Sequence, residues 1–363
     1  MPLSPITGHH QARRSFAIAV RSGRLPQVLL LSGPTGIGKQ RLALWLGQLA
    51  LCEQPGEGPC GTCRACRLVD GLAHADLHWF VPIPRPKSAD GDKQLEEAAE
   101  SIAGVIAERR SKPLYAPADG MAGHSMASVR LLLRRASLTS VEGGRRVFII
   151  GEAERLVLQE SSPEAANALL KLLEEPPAGS LFILTAVDPR RLLPTMRSRA
   201  AGVRLHRLAN EEVRDFLRSE IRPALTADQL EERVALAAGA IGDALAQGDD
   251  VGKAFRSARN LLDAVLAGTG PTLERALQQP PYAARGEFAA MLDALADTLG
   301  EAARGTMGQP VRRSLPEAFS RHTSPASFLR AMERVDLARE AAAGNVNPQI
   351  LLAVLGEELA EVL

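Results

Sequence analysis

Aromatic residues, net charge and long apolar runs are all scarce in this chain of 363 residues. Aromatics make up 4% of it and the formal net charge is +1. A general basic attraction to nucleic acid and a stock of rings for stacking on bases are therefore both absent, and any contact with nucleic acid must be local or shared with partners. No apolar stretch is long enough to span a bilayer. The segment Met1 to Ser22 carries His9, His10, Arg13, Arg14 and Arg21 without a continuous apolar core, so it does not read as a secretory signal. What remains is an ordinary soluble composition, 45% hydrophobic and 23% charged, on a length that suits about two or three domains. A cytoplasmic protein without membrane attachment is the expectation.

Cysteine is absent everywhere except one short stretch, where all 4 fall: Cys52, Cys60, Cys63 and Cys66. Without a secretion signal, such clustering argues for a metal rather than for disulfides. Two Cys-x-x-Cys steps share Cys63, and Gly58, Pro59 and Gly61 supply turns between them. Four thiolates close a tetrahedral zinc shell and leave no open position, so the expected site is structural. A redox Cys-x-x-Cys pair is the other reading, and it has no use for two further cysteines.

Just before the cysteines stands Gly33-Pro34-Thr35-Gly36-Ile37-Gly38-Lys39, followed by Gln40. Two glycines and a lysine at this spacing form a P-loop, whose backbone N–H groups wrap phosphates while the lysine neutralises them. Val28 to Leu31 ahead of it reads as a short buried strand, and Gln40 to Leu51 behind it as a helix with Leu42, Trp45, Leu46 and Leu49 on one face. That is the context the motif requires. Gln40, however, stands where a Ser or Thr hydroxyl normally holds Mg²⁺.

Leu77 to Val81 reads as a second strand, and Arg145 to Ile150 as a third. In a hydrolysing P-loop enzyme the latter ends in an Asp for Mg²⁺, often followed by a Glu that activates water. Here Gly151 takes the Asp position and Glu152 the Glu position. Between these strands, 85–125 reads as a solvated polar insertion around a helix over Gln94–Arg109. Ser162-Pro163-Glu164 opens another helix that Pro176-Pro177 stops. Leu181 to Leu184 is a further strand, and Thr185 at its end is expected to face the nucleotide pocket. Alternating strands and helices indicate a parallel α/β sheet with its ligand site at the carboxyl ends of the strands. Thr195 to Arg199 reads as a short helix. From Leu208 to Leu363 strand-like runs vanish and Ala and Leu recur at helical spacing, which predicts a small bundle over about 208–250 and a larger one after it.

With these residues in place, the chain resembles the clamp-loader family of bacterial DNA polymerase III over most of residues 6–245. The likeness rests on the P-loop, the cysteine knuckle directly after its helix, the string from Ala165 through Asn167-Ala168-Leu169-Leu170-Lys171 to Glu174-Glu175-Pro176-Pro177, and Leu193-Pro194-Thr195-Met196-Arg197-Ser198-Arg199. The resemblance implies a P-loop AAA+ domain over 1–207 with the zinc knuckle at 52–66 and the insertion at 85–125. It implies a helical lid over 208–250 and an all-helical collar or oligomerisation domain over 251–363. In this family five subunits, among them gamma/tau and delta, form an open ring that loads the sliding clamp onto primer–template DNA with ATP. Some members are motors, and one is a stator that lends an arginine to its neighbour's ATP.

Departures from the motor pattern favour the stator. Ser198-Arg199-Ala200 keeps the arginine of the family's Ser-Arg-Cys motif, so Arg199 matches the arginine finger, acting in trans on the γ-phosphate of ATP bound to a neighbour. The lid motif that carries a sensor arginine in motors here reads Gly239-Ala240-Ile241-Gly242-Asp243-Ala244-Leu245, with Gly242 in its place. The resemblance thus implies structural Zn²⁺ on the four cysteines. It also implies ATP or ADP held weakly, without hydrolysis, by Gly33 to Gln40 with Glu152 and Thr185. A motor subunit of the gamma/tau kind and a free-standing P-loop ATPase are the alternatives; a zinc-based nucleic-acid module is disfavoured by charge and aromatics.

Overall fold

The computed structural model describes residues 6–111, 122–142, 144–156, 164–221, 224–245, 250–281, 286–309, 311, 315–316, 319, 324–344 and 346–363. They divide into two compact units, 6–224 with 239–242, and 225–238 with 243–363.

The first unit is built on five parallel strands: β1 (Val28–Ser32), β2 (Leu77–Phe80), β3 (Arg146–Ile150), β4 (Ser180–Ala186) and β5 (Ala201–Arg204). Their order across the sheet is β2-β3-β4-β1-β5. Every residue of β1, β3 and β4 is buried, which is why these strands read as continuous apolar runs rather than alternating ones. Leu31 pairs with Thr185 and Ile150 with Leu184, so the carboxyl ends of β1, β3 and β4 lie side by side. Phe148 stacks on Phe182 at 4.9 Å between centroids and helps fix the β3–β4 register.

Helices α1 (His10–Arg21), α2 (Lys39–Leu51), α3 (Arg64–Asp70), α4 (Gly91–Ser111), α5 (Met126–Ser137), α6 (Glu164–Glu174), α7 (Pro194–Arg197) and α8 (Asn210–Glu220) accompany this sheet. Helix α2 packs against β1, β3 and β4, and Gly47 lets it come close to Val147, where an added Cβ would lie 3.2 Å from Cγ1. Ser125 caps α5 by accepting from the Ser128 N–H. The Ser162–Pro163 opening read for α6 lies outside the described residues.

The second unit is helical: α9 (Ala227–Ala237), α10 (Ile241–Leu245, whose last three residues belong here), α11 (Asp250–Ala267), α12 (Thr269–Leu277), α13 (Glu287–Thr306), α14 (Pro325–Ala343) and α15 (Pro348–Val362). Thr226 and Gln229 form a reciprocal capping box at the start of α9. Helix α13 lies between α11 and α14 around Leu261, Phe288, Leu292, Leu295 and Phe328. Arg339 on α14 ties itself to Asp293 on α13 and to Asp336 one turn back. Among the described residues no helix is long and apolar enough to cross a membrane.

The insertion departs from the expectation of a solvated segment. Helix α4 runs longer than its reading, buries Ala98 and Ile102, and packs on α5. An antiparallel bridge between Ile83 and Gly123 closes the base of the excursion. Charged residues on the exposed turns of α4 mask a helix that has a buried side.

Candidate functional site

The P-loop leaves β1 at Gly33 and enters α2 at Lys39, placing Gly36, Ile37 and Gly38 at the carboxyl edge of the sheet. Thr35 and the Pro34 ring lie in the same loop. Lys39 is buried, and its ammonium donates to the carbonyls of Gly33 at 2.8 Å and Pro34 at 2.7 Å. Burial lowers its pKa to about 8, opposed by the nearby carboxylates of Glu154 and Glu152. His9 closes the other side, its Nε2–H donating to the Ile37 carbonyl at 2.7 Å.

Gln40 is held by two donors. Its Oε1 accepts from Trp79 Nε1–H and from Arg109 Nη1–H, each at 3.0 Å. The Arg109 guanidinium also lies over the Trp79 ring, 4.9 Å from its centroid. Gly151 faces the same amide: a Cβ there would sit 2.6 Å from Gln40 Oε1. The absent hydroxyl and the absent carboxylate, independent losses in the sequence, are sterically one arrangement. Gln40 occupies the room that an aspartate at 151 would need.

Around this pair the end of β3 is tightly wired. His124, fully buried, donates through Nε2–H to the Gly151 carbonyl at 2.7 Å, and burial drives its pKa down to about 4. Glu152 has a left-handed backbone with φ 51°, a conformation uncommon outside glycine. Its N–H donates to Thr185 Oγ1 at 3.0 Å, and its carboxylate pairs with Arg155 at 2.9 Å. Thr185 is buried, with its hydroxyl engaged by Glu152. Glu154 accepts from the Val187 N–H at 2.9 Å, and burial raises its pKa. Gly242 rests on the loop: its N–H donates to the Gly36 carbonyl at 2.8 Å, and a Cβ would lie 2.8 Å from Gly36 Cα. A sensor arginine at 242 therefore has no room in this arrangement.

The four cysteines come together. Their Sγ atoms all lie within 4.8 Å of one another, and Cys60 Sγ is 3.9 Å from Cys66 Sγ. A tetrahedral zinc–thiolate shell has sulfur edges of roughly 3.8 Å, from Zn–S bonds of about 2.3 Å, so the cluster fits the ion. The N–H of Cys60 donates to Cys52 Sγ, that of Cys63 to Cys60 Sγ and that of Cys66 to Cys63 Sγ, at 3.3, 3.3 and 3.4 Å. Such bonds orient thiolates around a metal. The N–H of Cys63, with help from Thr62, lowers the Cys60 thiol to about 6, while burial raises Cys52 and Cys66. Gln48 on α2 ties the knuckle to the P-loop helix by donating to the Cys66 carbonyl at 3.1 Å and to Asp70 at 2.9 Å.

Arg199 stands apart from the P-loop, just past α7. It pairs with Glu174 at the end of α6 and donates to the Thr195 carbonyl at 2.6 Å. Its side chain keeps 29% of its surface exposed.

A family model described as "DNA polymerase III, delta subunit" matches residues 8–209, the segment that holds the P-loop, the knuckle and Arg199. DNA polymerase III subunit delta' of Escherichia coli K12 is 30% identical over 313 residues, covering 84% of this chain and 79% of that one. The chain belongs to the DNA polymerase III delta-prime family. Subunit delta' of Pseudomonas aeruginosa PAO1 is 33% identical over 172 residues, 47% of this chain and 40% of the relative. Subunit gamma/tau of Mycobacterium bovis is 28% identical over 195 residues, 53% of this chain and 27% of the relative. The chain thus spans most of the first relative and less than half of the other two.

Within this delta-prime chain, three residues of the site carry no clear signal in the sequence: Arg109, His124 and His9. Arg109 is 69 positions from Gln40 and sits on a helix rich in exposed charge, so its side chain reads as solvated. His124 lies at the very end of the polar insertion. His9 gives no periodic signal at all. The only hint for Arg109 is Gln40 itself, an amide that needs donors once buried.

Proposed function

We propose that this chain is the non-hydrolysing stator of the DNA polymerase III clamp loader. It joins gamma/tau and delta subunits in a pentameric ring and supports ATP-dependent loading of the sliding clamp onto primer–template DNA. The observation that carries the reading is the Gln40–Gly151 contact. With the amide braced by Trp79 and Arg109, neither a hydroxyl nor a carboxylate is available there to place Mg²⁺ for phosphoryl transfer. The loop from Gly33 to Gln40, bordered by Glu152 and Thr185, retains backbone and lysine for ATP or ADP without turnover.

Arg199 is the group that acts, in trans, on ATP held by a neighbour. It lies on a partly exposed corner rather than inside the chain's own site, and a guanidinium placed there stabilises charge on a transferring phosphoryl group. In this reading residues 1–207 form the AAA+ domain, 208–250 the lid and 251–363 the collar. Zn²⁺ on Cys52, Cys60, Cys63 and Cys66 supplies no chemistry and fixes the loop after α2.

Reconstitution with the gamma/tau and delta subunits tests this. The chain alone is expected to show no ATP turnover, and turnover abolished by Lys39→Ala would overturn the stator reading. In the complex, Arg199→Ala is expected to leave assembly intact and lower DNA- and clamp-stimulated ATPase. Arginine fingers contribute on the order of 10³-fold or more at the site they serve. An unchanged rate would remove Arg199 from the mechanism.

A further inference from the structure

The four thiols of the knuckle come from two helices and the turn between them. Cys52 caps the carboxyl end of α2, while α3 has Cys63 as its N-cap and Cys66 in its first turn. Residues 53–59 run between, with Pro55, Gly56, Gly58 and Pro59 and no buried position. An exposed connection of this kind does not by itself fix the distance between the two helices. Four thiolates accept a tetrahedral ion without rearrangement only when their spacing is set beforehand.

Gln48 is placed to set it. The residue stands one turn before Cys52 on α2 and is 9% exposed. Its neighbour Gly47 seats α2 on the sheet, where an added Cβ would lie 3.1 Å from Leu77 Cδ1 and 3.2 Å from Val147 Cγ1. From that fixed base the Gln48 amide reaches α3 at two points. Its Nε2 donates to the Cys66 carbonyl at 3.1 Å and to Oδ1 of Asp70, the last residue of α3, at 2.9 Å. One nitrogen thus directs both of its hydrogens to α3. Cys66 is fully buried, with its sulfur among the other three and its carbonyl on Gln48. Side chains of similar length cannot replace the amide: methionine lacks the donors, and glutamate would set a second carboxylate against Asp70.

We propose that Gln48 is the positioning residue of the knuckle. With zinc on the four cysteines, as read above, it sets the affinity for the ion by fixing α3, and the Cys63 and Cys66 it carries, relative to Cys52. The amide lies outside the sulfur shell and acts through Cys66. Groups that orient metal ligands in this way are worth about 10–100-fold in affinity. This role is independent of nucleotide at the P-loop and of Arg199.

The test uses the full chain in three measurements: competition with a chromophoric chelator for zinc, melting with zinc and after chelation, and titration with Co²⁺ followed by its visible absorption. Gln48→Met is expected to weaken zinc binding by about tenfold or more. At saturation it should still give cobalt–thiolate bands of the original intensity, because all four thiolates remain. The rise in melting temperature that zinc confers should shrink along with the affinity. A bond that only packs α2 on α3 would lower melting equally with and without metal and leave zinc affinity unchanged, and that result would overturn the proposal. Asp70→Asn keeps an acceptor for the amide and is expected to bind zinc within about twofold of the original, whereas Asp70→Leu should weaken it about threefold or more. Equal affinities in these two chains would also overturn the proposal, and they decide the matter if the methionine variant does not fold. An unmodified chain that binds no zinc overturns the metal reading and this role together. Zinc bound equally well by the original and by Gln48→Met leaves the metal reading standing and removes Gln48 alone.

Discussion

Glu174, at the last turn of α6, forms an ion pair with Arg199, the arginine proposed to act on a neighbouring subunit. In that proposed role the guanidinium exchanges this carboxylate for a neighbour's phosphate, which would make Glu174 both a holding partner and a competitor. Glu174→Gln is expected to leave ATPase of the complex intact or raise it, the opposite of Arg199→Ala. Because the pair is partly exposed, the isolated chain should lose no more than about 1 kcal/mol of stability. ATPase rates and denaturant midpoints measured together check both statements.

Restoring an aspartate at the end of β3 should harm this chain rather than repair it. Gly151→Asp would drive its Cβ into the Gln40 amide, and overpacking of this kind costs about 1–3 kcal/mol. Pairing it with Gln40→Thr removes the obstruction and should recover part of the loss. Urea unfolding of the two single variants and the double variant reads the coupling directly.

Metal analysis is expected to return about one zinc per chain, as a closed four-thiolate site requires. Replacing Cys66, whose sulfur lies 3.9 Å from that of Cys60, by Ser should abolish stoichiometric zinc and lower the melting temperature. A chain that melts unchanged after exhaustive chelation would show that the knuckle is held by packing alone.

Acid should weaken the first unit in a defined window. Burial holds His124 neutral with a pKa near 4, below the unfolded value of about 6.5. The folded state therefore binds fewer protons than the unfolded one. Its contribution is fully present above pH 6.5 and is lost as pH falls from there through 4. At the acid end the loss is on the order of 3 kcal/mol. His78, also lowered to about 4 by burial, acts in the same direction. A stability profile from pH 7.5 to 4 for the unmodified chain and for His124→Gln checks this, the variant being expected to show the shallower decline.

Much of the architecture is legible in the sequence because it rests on local patterns. β1 is a run of apolar residues between Pro26 and Gly33, and the cysteine cluster places all its ligands within one short segment. Helix α5 and strand β5 have no such mark. β5 is a mostly exposed edge strand without alternation, and α5 lies in the shadow of the polar insertion. The P-loop is visible, yet the reason for its odd residue is not. Gln40, Trp79, Arg109 and Gly151 are separated by long stretches of chain, and only the folded sheet makes them one cluster. A charged residue with a long stem on a polar helix carries no sign in sequence of whether its head is wet or buried.

The chain's 2 tryptophans stand at different sites. Trp79 donates to Gln40 beneath Arg109, whereas Trp45 lies beside the knuckle, where a Cβ on Gly58 would be 3.5 Å from its ring. Each indole is thus an optical probe of one site. With Trp45→Phe the remaining emission reports the phosphate loop, and with Trp79→Phe it reports the metal. Occupancy of the two sites can then be followed separately in one molecule.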